Sequence, residues 1–499
     1  MGNRLPLELL SEIAAYLKEA HESLAQYTTV CREWQAAFEP HIYRQTCVHS
    51  DDLQGQSILS LSKFHIITSG TVIGRLSMIQ ELEYRIILPY QLDDYCASIT
   101  EDKAYRKENP IRHVNDEAFR RGITELFTTL ASWSDTHRLS LVLAALGRQK
   151  ELEPGTREHA DAGTFRGLHR GDEWAVRPYR AQFPDGSASA LPVVSCVDKL
   201  CFPNAGLDPW HMIWSGTALQ IAQRCPTLTW LHLGLDEYAR PDHLDYIRDR
   251  RQAVAEELCN LPASLRVFHY FNQLEKPWQN TLPALNVLSD KIDTFPLHVQ
   301  SLSLHLRELK MPHVAITSDF FWPLDKQGKP TGCGASLHWP YLEIIGFDEI
   351  PDCLPSGEWL FDPDDCKKTE VPNLEAPDWE DIRLIEESPY DRTLMNFEHF
   401  HRVFIAMGYA AQHMPLLKTI RLLVLADGQS TFDFSTDQVS GRRTVTWASA
   451  TGYKPDERVA QAWGFNPDDI DFIDHWEGRD VETNVTFHSW PPEDRTDKS

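Results

Sequence analysis

Between Tyr84 and Leu425 the chain repeats one pattern, a strand-length apolar burst followed by a helix-like segment. The bursts are Tyr84 to Leu88, Leu139 to Leu146, Val193 to Phe202, Leu228 to Leu235, Leu265 to Phe271, Val299 to Leu306, Tyr341 to Phe347 and Leu416 to Leu425. Between many of them lie Asp116 to Trp133, Gly216 to Arg224, Asp249 to Leu261, Ala284 to Ile292 and Asn396 to His413, which read as helices. Several units share a local grammar: a helix ends, a Pro follows, and an apolar strand begins. Cys225-Pro226, Leu261-Pro262 and Met414-Pro415 each open such a strand. Strands alternating with helices at roughly 33 to 75 residues per unit predict a parallel sheet backed by helices, an irregular α/β solenoid. A compact α/β domain with insertions satisfies the same alternation.

The bursts Leu228-Leu231-Leu233 and Leu302-Leu304-Leu306 resemble a leucine-rich-repeat array. The chain departs from that family in its uneven repeat lengths and in lacking an evident asparagine ladder position. Asp319-Phe320-Phe321-Trp322-Pro323 and Trp339-Pro340-Tyr341-Leu342-Glu343 are similar to C-terminal stretches of fungal F-box proteins, a looser resemblance.

Ahead of this array stands a different kind of sequence. Pro6, with its fixed φ and no amide proton, suits the first turn of a helix, and Asn3 is placed to cap the free amides. Leu9, Leu10, Ile13, Tyr16 and Leu17 then recur on one helical face, with Glu8, Glu12, Lys18 and Glu19 toward water. A second run, Leu24, Tyr27, Val30, Cys31, Trp34, Ala37 and Phe38, is expected to end at Pro40. Two or three short helices result. A segment below roughly 70 to 80 residues rarely builds a sufficient core, so its apolar face needs cover from the next domain or from a second protein.

The order Leu5-Pro6, Glu8-Leu9, Ile13, Tyr16-Leu17, Leu24, Val30-Cys31-Arg32 and Trp34 resembles the F-box, the module that docks on the Skp-type adaptor of cullin-RING ubiquitin ligases. The resemblance covers about a tenth of the chain. It implies that Leu5, Pro6, Leu9, Ile13, Leu17, Leu24, Val30, Cys31 and Trp34 bind the adaptor or hold the contacting helices together, two roles the sequence does not separate. Many family members carry a tryptophan where this module ends on Tyr43. The alternative is an ordinary helical hairpin packed on its own domain.

Composition narrows the partners. A formal net charge of -25 over 499 residues argues against nucleic acid and against anionic membrane surfaces, both of which need clustered Lys and Arg. No apolar run approaches the roughly 20 residues of a membrane span, no secretory apolar region precedes Leu5, and Met1-Gly2 lacks a myristoylation signal. The ten cysteines are scattered without a Cys-x-x-Cys pair, which fits a reducing intracellular compartment, cytoplasmic or nuclear.

Two insertions interrupt the array: residues 152–189, rich in Gly, Arg, His and Pro, and the strongly acidic residues 348–392. Segments this long either shape a binding surface or are solvated loops. After Arg442 we expect one strand, Thr444 to Trp447, then an Asp-rich region and a polar tail.

Catalytic and metal chemistry is not indicated. Glu398 and His401 have metal-ligand spacing on a helix but no second such pair, and Cys196, Cys201 and His211 lack a fourth zinc ligand. Asp362-Pro363-Asp364-Asp365 lacks the glycine and glutamate of a calcium loop, Gly70 to Arg75 lacks the phosphate-loop ending, and no Gly-x-Ser-x-Gly elbow occurs. The expectation is a non-enzymatic α/β protein without cofactors: an F-box-like module at 1–50, a repeat region at 51–440 that captures a protein substrate, and a C-terminal cap and tail at 441–499. A scaffold that uses the F-box without ubiquitylation is the alternative.

Overall fold

The computed structural model describes the chain except residues 1–4, 21–22, 52–58, 69, 93–97, 100–109, 152–155, 158–178, 185–187, 204–209, 212, 236–243, 273–283, 289–292, 316, 332–336, 363–391, 393, 425–429, 438, 450–451, 467, 469, 476–479, 488–489 and 492–499. Most of both insertions, the Asn3 cap and the polar tail therefore lie outside the described residues. Two compact units emerge: one of Met1–Leu92, Lys107–Glu151 and Tyr179–Leu231, the other of Asp93–Arg106, Leu152–Pro178 and His232–Ser499.

The first unit opens with helix Leu7–Glu19, a 3-10 turn Ala25–Thr29 and helix Arg32–Tyr43. Pro40 sits inside the second helix instead of ending it, because its fixed φ is already helical and only one amide donor is lost. The chain passes straight into strand Gln45–His49, which pairs in parallel with Glu81–Arg85 of strand Glu81–Leu92. That strand pairs in parallel with Leu139–Glu151, which pairs in parallel with Val197–Phe202. Phe64-His65-Ile66-Ile67 belongs to helix Leu61–Thr68.

Helix Pro110–Ala131 covers the second strand, burying Phe119, Ile123, Leu126, Phe127 and Leu130 against Leu82, Tyr84 and Ile86. Gly122 permits that approach. A Cβ there would lie 3.2 Å from the Ile86 side chain, and its carbonyl accepts from the Tyr84 hydroxyl at 3.0 Å.

Asp116 on the same helix is buried, accepting from the Tyr179 hydroxyl at 2.9 Å and the Gln182 amide at 3.2 Å. Desolvation pushes its carboxyl up to about 6, and these two hydrogen bonds oppose the rise. Because the folded value exceeds the unfolded one, the native state holds the proton more tightly. Stability therefore falls as pH rises through the window up to about 6, and the penalty persists above it. Asp116→Asn should flatten that slope and stabilise the chain by about 1 to 2 kcal/mol at pH 8, part of the relief being offset by the amide NH2 it buries. Urea unfolding at pH 5 and pH 8 checks this, and an unchanged slope in the variant would sink the assignment.

In the second unit, strands Val267–Asn272, Glu308–Lys310, Ile344–Ile350 and Thr419–Val424 pair in parallel in that order. From Thr419–Val424 onward the pairing turns antiparallel through Ser430–Thr436, Arg443–Ser449, Asp480–Phe487 and Asp471–His475. The last two strands arise where an Asp-rich region was expected. Thr483, Val485 and Phe487 alternate inward there, and that period outweighs local charge.

Most strand and helix expectations fall within a few residues of the observed elements, including Trp230–Leu235, Ser215–Gln223, Leu244–Leu258 and Phe397–Gln412. Val299 to Leu306 is the clear correction. Helix Thr294–Ser303 takes most of it, capped by Asp293, whose side chain accepts from the Phe295 amide, and carrying Pro296 in its first turn. Residues 284–288 are not helical, since Asn286 bridges to Ser356 instead. No helix among the described residues is long and apolar enough to cross a membrane.

Candidate docking surfaces

The N-terminal helices build a core from Leu10, Ala14, Leu24, Ala37 and Phe38, with Leu17, Tyr27, Trp34 and Ile42 packed against it. Trp34 stacks on Phe38 at 5.1 Å between ring centroids and on Tyr27 at 6.0 Å. Polar contacts fix the pair of helices. The Ser11 hydroxyl lies 3.0 Å from Nε2 of His41, and Lys18 Nζ donates to the His41 carbonyl at 3.2 Å. Burial, then the charges of Lys18 and Arg44, hold His41 below its ordinary pKa, so at neutral pH it acts as an uncharged hydrogen-bonding group.

Inside the first helix two apolar stripes run side by side. Leu10, Ala14 and Leu17 point into the core, while Leu9, Ile13 and Tyr16, one residue or about 100° away around the axis, point outward. Leu5, Leu9, Tyr16 and Val30 are 50%, 45%, 71% and 61% exposed, and Leu7 is exposed as well. Pro6 and Cys31 are exposed too.

The nine residues singled out from sequence thus divide. Leu5, Pro6, Leu9, Ile13, Val30 and Cys31 face outward, Leu24 is buried, and Leu17 and Trp34 are half-buried supports. Leu7 and Tyr16 join the outward set; Tyr16 follows Leu9 and Ile13 at helical spacing, which was its signal, whereas Leu7 shares the spacing of the buried Leu10 and Ala14 and had none. So many large apolar side chains in water on one small module mark a surface that expects cover.

The module is tied to the sheet of its own unit. The Arg44 carbonyl accepts from the amides of Gln80 and Glu81 at 3.0 and 2.9 Å. Arg75 pairs with Glu39 at 2.7 Å while its guanidinium lies 5.2 Å from the Tyr43 ring centre, at the end where the family's tryptophan would stand.

A second surface lies on the sheet of the second unit. Phe268, Leu309, Ile345, Ile420, Phe432, Val445 and Val485 are buried on one face, whereas His269, Lys310, Gly346, Arg421, Asp433, Thr446 and Asn484 lie in register across the other. Apart from Gly346, the residues of this row are half-buried or exposed. Glu308 bridges His269 and Lys310 at 2.9 and 2.6 Å, and Arg421 faces Asp348 at 3.4 Å.

The metal-like spacings find other partners. Glu398 takes a two-pronged pair from Arg458 at 3.0 and 2.7 Å, and His401 meets the Tyr453 hydroxyl at 2.9 Å. Burial pushes the thiols of Cys196 and Cys201 up to about 11, which keeps them protonated. Among the described residues no cluster of three His, Cys, Asp or Glu side chains is placed to hold a metal ion. The His211 side chain and Asp364 and Asp365 lie outside the described residues.

No curated protein matches the chain. The family model described as F-box-like matches residues 3–49, the span of the two helices and the first strand. The chain therefore carries an N-terminal F-box-like domain, the kind of domain that generally binds Skp-type adaptors, and this supports an F-box protein.

Proposed function

We propose that the chain is the substrate-recognition subunit of an SCF-type cullin-RING ubiquitin ligase, docking on a Skp-type adaptor and carrying a captured protein to the ubiquitin-transfer machinery. The observation that carries this reading is the outward stripe of Leu9, Ile13 and Tyr16 within the F-box-like domain, flanked by Leu5, Leu7 and Val30. Leu24, Leu17 and Trp34 then serve the contact indirectly, by holding the two helices.

The protein makes and breaks no bond itself. Its contribution is proximity, raising the local concentration of a target lysine beside a charged ubiquitin-conjugating enzyme. The unbroken passage from helix Arg32–Tyr43 into the paired strand Gln45–His49 supports that role, since a docking module without a loose linker holds a fixed orientation on its own unit. The polar row from His269 to Asn484 offers a surface for protein capture, the part we assign to the leucine-rich-repeat-like, fungal-type region, and the net charge of -25 disfavours nucleic acid as the captured partner. A role beside a cullin implies a protein inside the cell, in cytoplasm or nucleus.

Co-expression with a Skp-type adaptor and a cullin, followed by size-exclusion chromatography, tests the reading. A stoichiometric complex containing both is expected, with target turnover depending on it. A soluble, monodisperse chain that binds no adaptor overturns it. A complex with adaptor that excludes the cullin replaces it with the scaffold function. Deleting residues 1–50 makes a poor control, because it also removes the strand paired with Glu81–Arg85.

A further inference from the structure

We propose that the second unit carries a binding site for a small oxyanion, a carboxylate or phosphate head group, at the C-terminal ends of its parallel strands. A cavity of about 40 Å³ lies there, walled by Tyr270 from strand Val267–Asn272, by His313 just after Glu308–Lys310, by Cys353 just after Ile344–Ile350, and by Arg250 and Arg251 of helix Leu244–Leu258. Open parallel sheets bind ligands in the crevice beyond the carboxyl ends of their strands, where several loops converge on one point. Three neighbouring strand ends supply this wall.

The chemistry of the wall runs against that of the chain. Asp and Glu outnumber Lys and Arg by 73 to 48 overall, yet the lining holds two arginines and a histidine and no Asp or Glu. Arg251 gives Nε and Nη2 to Asp293 at 3.2 and 2.6 Å, which leaves its Nη1 edge for another acceptor. Arg250 is buried with its guanidinium 5.9 Å from the Tyr246 ring centre, and five N–H donors allow it to serve a ligand alongside its protein contacts. Guanidinium groups match the planar geometry of carboxylate and phosphate oxygens.

Size limits the occupant. One bound water needs about 10 to 15 Å³ of such space, so the cavity has room for about three waters or one oxyanion head.

His313 is the second sign of a built site. Its φ of 60° makes it the non-glycine residue with positive φ among those described, a conformation that L side chains enter at an energetic penalty. The Asp348 carbonyl holds its amide at 2.8 Å, and its ring packs edge-on against Phe271 at 4.8 Å. Residues held this way by their surroundings cluster at active sites and ligand clamps. The rim is fixed as well: the Val287 amide donates to the Pro355 carbonyl at 2.9 Å, and Arg248 holds the Asn286 carbonyl at 2.9 and 3.1 Å.

The test uses the full chain, titrated calorimetrically with inorganic phosphate and with acetate against chloride at equal ionic strength. Saturable binding of at least one anion beyond the chloride control is expected, phosphate alone assigning a phosphoryl group and acetate alone a carboxylate. Competition by a peptide bearing the same group would assign the head to a side chain of a bound protein, and its absence to a free small molecule. His313→Gly should lower affinity at least tenfold while the ligand-free melting temperature holds or rises, because glycine adopts this φ without penalty. Arg250→Lys should lower affinity by a similar factor, and a tenfold loss in either folded variant supports the site. No binding of either anion, or unchanged affinity in both folded variants, overturns it.

Discussion

Leu9→Asp combined with Ile13→Asp is expected to weaken adaptor binding by at least about 3 kcal/mol, more than a hundredfold, while costing the fold less than it costs docking. Leu9 and Ile13 are 45% and 36% exposed on the free chain, so the fold gives up part of their packing but no fully buried side chain when they go. Leu9 lies in the first turn of a helix that starts after Pro6, where a carboxylate is favourable to the helix dipole. In a docked complex each residue would bury the still-exposed part of an aliphatic side chain, worth about 1 kcal/mol, and each aspartate would bring an unpaired charge into the interface, the larger effect. Calorimetric titration with purified adaptor, beside thermal melts of each variant, reads the two effects separately. Phe38→Ala is the contrasting control. Phe38 is fully buried between Tyr27 and Trp34, so its loss should cost about 3 to 5 kcal/mol of fold stability and affect docking only through unfolding. Trp34→Ala mixes both effects, because Trp34 is half-buried and stacks on Phe38. Unchanged adaptor affinity in the folded Leu9/Ile13 double variant would remove these residues from the interface.

The first helix shows what the sequence expresses and what it withholds. Helical spacing makes the segment amphipathic, but Leu10, Ala14 and Leu17 share their period with Leu9, Ile13 and Tyr16. Which stripe turns inward is decided by where the second helix packs, and that is tertiary information. Element type was legible where flanking chemistry agreed with periodicity. Asn396 and His413, the ends of a predicted helix, are the two cap residues of helix Phe397–Gln412. The eight residues from Val299 to Leu306 were ambiguous, because an apolar run of that length serves a buried strand or a helix face equally. Asp293 and Pro296 upstream were the capping signals that decide it. The arginine-lined cavity had no local signature at all. Arg250, His313 and Cys353 are far apart in the chain and meet only when successive parallel strands align their ends.

Gly408→Ala should destabilise the second unit by about 3 kcal/mol or more, at or above the upper end of ordinary overpacking. The direction is the reverse of what a helical glycine in solvent would give. At an exposed interior position of helix Phe397–Gln412, alanine would gain about 1 kcal/mol in helix propensity. Here a Cβ would stand 2.7 Å from Cδ1 of Trp463 and 2.9 Å from both the carbonyl carbon and the oxygen of Ala462. Neither neighbour can retreat cheaply. The Trp463 indole donates to the Phe404 carbonyl at 3.0 Å and is buried among Phe432, Phe434 and Trp447, while Gln412 clamps the Ala462 carbonyl at 2.6 Å. Helix Glu457–Trp463 is itself pinned at both ends, by the Asp456 side chain accepting from the Val459 amide and by Gly464 closing it at a φ of 78°. The added methyl group therefore has to push two helices apart, and the aromatic layer from Phe404 to Trp447 opens with them. Urea unfolding followed by tryptophan fluorescence measures the loss. A midpoint equal to or above that of the unsubstituted chain would mean that the two helices do not meet at Gly408.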